Sequence, residues 1–511
     1  METDKVIARL LSPPIQAWFG RALLFRPLRK RILAWLESMI WNDYIIKNPY
    51  RRPKKAQEDK FCLSKAMLHS LDRGLSRGWI SRTVWLRLLR SFSTIHCADT
   101  ERREAFLREF GAEPSAFVAI SPTGFCNLVC QGCYANSSPQ AKVMLPYSTV
   151  DRIIQEQQSL WGSHFTVISG GEPFLWQSEG KGILDLVGSH PDHFFLAYTN
   201  GTAITESAAK RLADLGNLTP AISVEGFREE TDARRGAGVY DRILKALEHL
   251  RKFGVPFGIS ATATAENADL LMSREFLDFY FEEQGALYGW IFQYMPIGRE
   301  FQLERMLSPE RRFQMMKQTW RYIYEDGYFL ADFWNCGTFS DGCISAGRHG
   351  GYFYIDWNGN VMPCVFNPYY VQNIHQVYAE GGDLNTLLHS PFFSRIREWI
   401  AAYAYDPPAS EMENVLAPCA IRDHYQMMHD LVEEMGAKPA DECAKEALAS
   451  SSYHRGLIEY DREFEEVTRE TWEREYLAPE RGEKEREVAE RGAQPLSPSS
   501  SPPEPLLSIR D

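Results

Sequence analysis

Cys126, Cys130 and Cys133 fall within one short run, Cys126-Asn127-Leu128-Val129-Cys130-Gln131-Gly132-Cys133-Tyr134. The first apolar strand candidate, Phe117–Ile120, ends just before them. Three thiolates therefore share one loop at the C-terminal end of a strand, the end that carries the chemistry in a parallel α/β barrel. Three soft sulfurs on a four-iron cluster leave one iron open, and an open position is what a metal needs to bind a substrate or cofactor. A structural zinc knuckle would instead ask for four closed ligands and paired CxxC spacings.

The CxxxCxxC spacing ending in Tyr134 resembles the signature of the radical S-adenosylmethionine (SAM) superfamily. Gly170-Gly171-Glu172-Pro173, after the second strand candidate, resembles that family's GGEP motif. The resemblance implies that Cys126, Cys130 and Cys133 hold a [4Fe-4S] cluster whose open iron is chelated by the amine and carboxylate of SAM. Gly170, Gly171 and Glu172 would hold the amine. Thr199-Asn200-Gly201-Thr202 ends the third strand, placing Asn200 among the cofactor contacts with Tyr134. Ser223-Val224-Glu225-Gly226 ends the fourth and resembles the SxDG element with Glu for Asp, and Asp232 to Gly236 resembles DxxRG. By that resemblance Ser223 and Glu225 face the ribose or carboxylate of SAM, Arg235 pairs with the carboxylate, and the segment around Ile297 contacts adenine. Taken singly, a strand-ending Ser or Glu is also a common helix cap, and Asn200-Gly201 a common turn. The implied chemistry is reductive cleavage of SAM to a 5′-deoxyadenosyl radical that takes hydrogen from an unactivated carbon, so the protein's own part is to orient substrate and exclude water.

A second set of cysteines follows at Cys336, Cys343, Cys364, Cys419 and Cys443. Gly359-Asn-Val-Met-Pro-Cys364 matches the Gly-x4-Cys element of SPASM and twitch domains, and Gly342-Cys343 precedes it. The CxxCxxxxxC run of a full SPASM domain is missing from the sequence, which points by resemblance to a twitch-like domain with one auxiliary [4Fe-4S] cluster. Its ligands would be Cys343, Cys364 and Cys419, with Cys336 as fourth and His424 or an open iron as alternatives. Cys443, in an acidic helical context, reads as a plain thiol, and Cys62 and Cys97 as helical thiols without metal chemistry. Scattered free cysteines are the plain alternative for the whole set.

The elements that must position these residues form an α/β pattern. Strand candidates at Phe117–Ile120, Phe165–Ser169, Phe194–Tyr198, Ala221–Glu225, Phe257–Ala263 and Trp290–Met295 alternate with amphipathic helices such as Tyr147–Ser159 and Tyr240–Phe253. Six such units suit a partial (β/α)6 TIM barrel rather than a full one. The division expected is a basic helical region at 1–110, the barrel at 111–326, a small cysteine-rich twitch-like domain at 327–430, a helical extension at 431–478 and a disordered tail at 479–511. Within 327–430, short strands are expected around Gly351–Ile355 and Asn360–Cys364.

Charge divides the chain as sharply as its motifs do. Residues 1–110 carry 22 Lys and Arg against 11 Asp and Glu, whereas the remainder of the 511 residues carries 34 against 57. Helical stripes in the basic part, Leu28, Ile32, Trp35, Leu36 and Met39, then Val84, Trp85, Leu88, Leu89 and Phe92, are interleaved with arginines. Such a segment suits a membrane surface, or else a helical subdomain packed on the barrel with its cations solvated. No nucleic-acid module is recognisable. Ten cysteines in this length are not a disulfide framework, and neither a signal sequence nor a long apolar run is evident, so a cytoplasmic enzyme is expected, peripheral to the membrane if the basic region binds there. A lipid or isoprenoid substrate would use both unusual parts of the chain. A peptide- or protein-modifying maturase, a tetrapyrrole-processing enzyme and a non-catalytic iron-sulfur scaffold or sensor are the alternatives. The electron donor expected is a flavodoxin or ferredoxin.

Overall fold

In a computed structural model of the chain, which describes residues 20–97 and 100–482, the expected strands assemble into one mostly parallel sheet. Its strands are β1 (Phe117–Ile120), β2 (Phe165–Ile168), β3 (Phe194–Thr199), β4 (Leu218–Val224), β5 (Gly258–Ala263), β6 (Gly289–Gln293), β7 (Leu330–Asp332), β8 (Tyr352–Ile355), β9 (Asn360–Met362) and β10 (Gln372–Asn373). They lie in the order β10-β9-β8-β1-β2-β3-β4-β5-β6-β7. All pairings from β8 through β1 to β7 are parallel, and β9 and β10 add antiparallel strands at one edge.

The sheet is thus an open, partial barrel, wider than the six strands expected. β7 and β8 lie beyond residue 326, where the barrel was expected to end, and both belong to its parallel run. Phe117 pairs with Tyr352 and Ile120 with Ile355.

Alternation along each strand sorts side chains to two faces. Val118, Ile120, Ile168, Phe195, Ile222 and Ile259 pack outward under the helices. Phe117, Ala119, Phe165, Val167, Leu196, Tyr198 and Trp290 point to the concave side. Both faces are covered, which is why the strands read as continuous apolar runs rather than as alternating ones.

The principal helices are α1 (Arg26–Trp41), α2 (Lys54–Ser76), α3 (Arg82–Cys97), α4 (Thr100–Phe110), α5 (Tyr147–Trp161), α6 (Ile183–Ser189), α7 (Glu206–Leu215), α8 (Arg228–Arg235), α9 (Val239–Phe253), α10 (Pro309–Arg321), α11 (Pro391–Ile400), α12 (Tyr425–Glu434) and α13 (Ser451–Thr471). Their ends follow local chemistry. Thr205 caps α7 by accepting from Ala208 N at 3.2 Å, and Ser308 caps α10 before Pro309 at its first position.

The basic N-terminal region is tied into the fold. Arg29 is buried and pairs with Asp72, Asp59 accepts from Tyr324 Oη at 2.6 Å and Tyr476 Oη at 2.8 Å, and Lys60 Nζ donates to Asp341 at 2.7 Å. Val84, Trp85, Leu88 and Leu89 are buried as their stripe implies, whereas the α1 stripe is half-buried and leaves Trp35 exposed. The side chains of Phe92 and Cys97 lie outside the described residues, as does the expected disordered tail from residue 483 onward; residues 478–482 are helical. Among the described residues no helix is long and apolar enough to cross a membrane.

A second core joins α10 to α13 through Phe313, Met316, Leu457 and Phe464. At its centre Arg312 and Asp423 form an ion pair with both side chains fully buried, and the Arg312 guanidinium lies 3.6 Å from the Phe464 ring centroid. Removing one partner strands a buried charge, so Arg312→Ala is expected to destabilise the protein by about 3–5 kcal/mol, measured by denaturant unfolding under anaerobic conditions.

Candidate functional site

The loop after β1 is wrapped by three other segments. Gly171 N donates to Thr123 O at 2.9 Å and Glu172 N to Phe125 O at 2.8 Å, pinning the glycine pair after β2 against the cysteine loop. The approach is so close that a Cβ on Gly171 would come within 2.0 Å of Phe125 O. From the β6 side, Arg299 N donates to Cys133 O at 2.9 Å, and its guanidinium donates to Cys130 O at 2.6 Å and Ser137 O at 2.5 Å. Gly298, at φ 68°, permits that crossing, since a Cβ there would fall 2.2 Å from Tyr134 O. Gln131 N donates to Arg234 O at 3.1 Å at the end of α8.

Glu172 is fully buried and shared between loops. Its Oε1 accepts from Thr199 Oγ1 at 2.6 Å and Phe174 N at 3.1 Å, and its Oε2 from Asn200 N at 2.8 Å. Burial raises its pKa against these hydrogen bonds, so a cation placed beside it would favour the charged form. Asn200 reaches back with Nδ2 to Asn127 Oδ1 at 3.0 Å and Cys126 Sγ at 3.7 Å. Burial also pushes the Tyr134 phenol up to about 12.

Gly170, Gly171, Asn200, Ser223, Arg234 and Arg235 line a cavity together with Cys126, Cys130, Cys133 and Tyr134. Glu225 stands behind that wall rather than in it. Its carboxylate is occupied by Arg234 and Arg235, with Arg235 Nε at 3.0 Å, and by Thr262 N at 3.2 Å. The Glu225 side chain, expected to face SAM, holds two arginines that themselves face the cavity. Ile297 is buried and also off the wall, with Tyr294 and Met295 on it instead. Arg234, Thr199 and Arg299 were missed as site residues. Each sits inside or beside a motif, but the bond it makes depends on how strands fold together.

Burial pushes the Cys126 thiol up to about 12 and raises Cys130 too. Bare thiolates are disfavoured there, so the donor set suits a cationic metal centre that would compensate them. Among the described residues no three His, Cys, Asp or Glu side chains converge on a single-ion site.

Cys343, Cys364 and Cys419 form a second group on the same cavity, close enough that Cys419 feels the charges of the other two. Tyr352 Oη lies 3.1 Å from Cys364 Sγ, and Phe366 N donates to that sulfur at 3.4 Å. Burial raises Cys364 to about 12. Cys336 lines the cavity as well, but its charged neighbours are Asp332 and Asp59 and not the three cysteines. Cys336 occupies the N-cap position of the short helix Gly337–Ser340, which separates it along the chain from Cys343. Cys336 thus shares the cavity with the three cysteines while its nearest charges are carboxylates. His424 is packed against Trp399 and Tyr403 on a separate cleft.

All seven candidate cysteines thus open onto one cavity of ≈ 1130 Å³. Residues 120–267, which span the strands carrying the cysteine loop and the glycine pair, match the family model for the Radical SAM superfamily. The chain carries a radical SAM domain. It is an enzyme of the kind that uses a [4Fe-4S] cluster and SAM. The match stops at residue 267, before the second cysteine group. Among similar proteins, mycofactocin maturase MftC of Mycolicibacterium smegmatis is 29% identical over 287 residues, covering 53% of this chain and 70% of the relative. Fe-coproporphyrin III synthase of Methanosarcina barkeri is 28% identical over 173 residues, covering 33% of this chain and 42% of the relative. The structure of Streptococcus suis SuiB bound to SAM superposes with a TM-score of 0.48 at 18% identity, covering 62% of this chain and 75% of SuiB.

The close approach at Gly171 has a measurable consequence. Gly171→Ala is expected to push the cysteine loop away and cost the reconstituted protein the iron that loop holds, about four per chain. Gly188→Ala, whose Cβ would meet its nearest neighbour at an ordinary 3.4 Å, is expected to leave iron unchanged.

Proposed function

We propose that Cys126, Cys130 and Cys133 hold the SAM-binding cluster, that Cys343, Cys364 and Cys419 hold an auxiliary cluster, and that a lipid or isoprenoid substrate lies between them. The observation that carries this reading is that both cysteine groups line one cavity whose intervening wall is apolar and aromatic: Phe117, Phe165, Tyr198, Trp290, Phe292 and Phe333. A wall of that kind excludes water and holds an alkyl C–H without competing polar contacts.

With SAM and the cluster in place, the cofactor supplies the 5′-deoxyadenosyl radical. The protein's residues supply the rest. Glu172, already braced by Thr199, Phe174 and Asn200, accepts from the SAM amine. Arg235, fixed by Glu225, presents its guanidinium to the SAM carboxylate. Ser223, with Oγ 3.2 Å from Ser260 Oγ, offers a hydroxyl to the ribose. Val129, 58% exposed between Cys126 and Cys130, gives a flavodoxin or ferredoxin an apolar contact over the cluster loop.

The N-terminal region supports the lipid reading because it contributes Tyr44, Pro49 and Tyr50 to the cavity wall and leaves Trp35, Trp41 and Ile46 exposed nearby in sequence. A peripheral membrane contact there would deliver an apolar substrate to the cavity mouth. A second reading, tetrapyrrole processing or modification by a maturase, is favoured by the similarity to Fe-coproporphyrin III synthase and MftC.

Anaerobic incubation with SAM and dithionite tests the assignment. Fractionated lipid extract is expected to raise 5′-deoxyadenosine formation at least about tenfold over buffer. Stimulation by porphyrins or peptides alone would decide for the second reading. The triple variant Cys126→Ala, Cys130→Ala, Cys133→Ala is expected to lose that activity and retain about four irons. A triple variant holding none would sink the auxiliary cluster.

A further inference from the structure

The cavity has a charged rim that hydrogen abstraction does not use. Lys60 on α2 and Arg348 just before β8 both line it, at only 7% and 6% exposure. Arg52, also 7% exposed, stands beside them. A single carboxylate pairs with two of them: Asp341 receives Lys60 Nζ at 2.7 Å on both oxygens and lies 3.4 Å from Arg52 Nε, while Arg348 reaches only the Asp341 backbone carbonyl, at 3.4 Å.

The other partners of these cations are neutral. Arg348 donates to the backbone carbonyls of Cys343, Ser340 and His349, the last at 3.1 Å. Arg52 Nη1 donates to Tyr405 O at 2.9 Å, and its buried Nε makes no hydrogen bond. Asp59, next to Lys60, is taken by Lys55, Tyr324 and Tyr476. Carbonyls satisfy donors but do not cancel charge, so apart from the Cys343 sulfur, whose charge acts on Arg348, the three buried cations share one carboxylate. Such an excess is costly unless a further anion completes it. One turn along α2 from Lys60, Leu63 also lines the cavity, and Phe329 packs against it, so the rim passes directly into the apolar wall.

We propose that the cavity takes an amphiphile whose anionic group, a carboxylate or a phosphate, docks at Lys60 and Arg348 while its apolar body lies along the aromatic wall. This rests on the reading of the cavity as the substrate chamber and narrows the substrate class to anionic lipids or isoprenoids.

The test is anaerobic titration calorimetry of the cluster-loaded protein with SAM, using decanoate, decyl phosphate and decanol. At least one anion is expected to bind about tenfold tighter than decanol, and the tighter of the two identifies the headgroup. Lys60→Gln is expected to abolish that advantage while leaving decanol affinity unchanged, and Lys60→Arg to restore it. Equal affinity for all three probes in the parent protein, or a Lys60→Gln variant that still prefers the anion, overturns the proposal while the chamber stands. A shift in cluster reduction potential in Lys60→Gln with anion affinity unchanged also overturns it, since the cations would then serve the cluster. If none of the three probes binds, the chamber reading itself fails.

Discussion

The backbone of the cysteine loop and the backbone of the glycine pair share a space with no room for a side chain. Because Gly171 carries no Cβ, the loop after β2 can lie directly on Phe125 and donate two hydrogen bonds across the gap. That contact fixes the cysteines relative to Glu172, and Glu172 in turn is fixed by the end of β3 through Thr199 and Asn200. The site is therefore held by main chain at its centre and by buried side chains one layer out. Rigidity of this kind is what a reactive intermediate demands, since small misplacements at a reacting centre are costly.

Much of this was legible in the residues themselves. The cysteine spacing and the glycine pair mark loops after consecutive strands, and the strands read as apolar runs because both faces are covered. β4 was legible only from Ala221 onward, since Pro220 normally argues against an interior strand position; here it pairs with Ala197 within the sheet. β7 and β8 were harder to assign. Strands of three or four residues bounded by turns, one of them ending in Asp332, say nothing about which edge they join, and membership is decided by pairing with β6 and β1 away in sequence.

The limits at the site have the same origin. Glu225 stands where the motif has Asp, and nothing in the spacing reveals that two adjacent arginines would claim its carboxylate. Cys336 is close to Cys343 along the chain, and both line the cavity, but spacing alone does not show which charged neighbours each thiol meets. The basic character of the N-terminal region was plain, but its destination was not. Arg29, Arg52 and Lys60 are buried against partners whose sequence distance hides them, and α2 brings part of that charge to the cavity rim.

The parallel pairing of β1 with β8 bears on how the molecule is made. The strand that leads into the cysteine loop gets its partner on one side from β2, soon after it is synthesised, but on the other side only when the chain has passed Ile355. Until then one edge of β1 is open, and such edges invite mispairing. Long-range pairing of this kind is slow to form. A settled scaffold for the cysteine loop thus depends on a stretch of chain that lies between Cys343 and Cys364, so the place where the first three cysteines sit is finished by the segment that carries two of the second three.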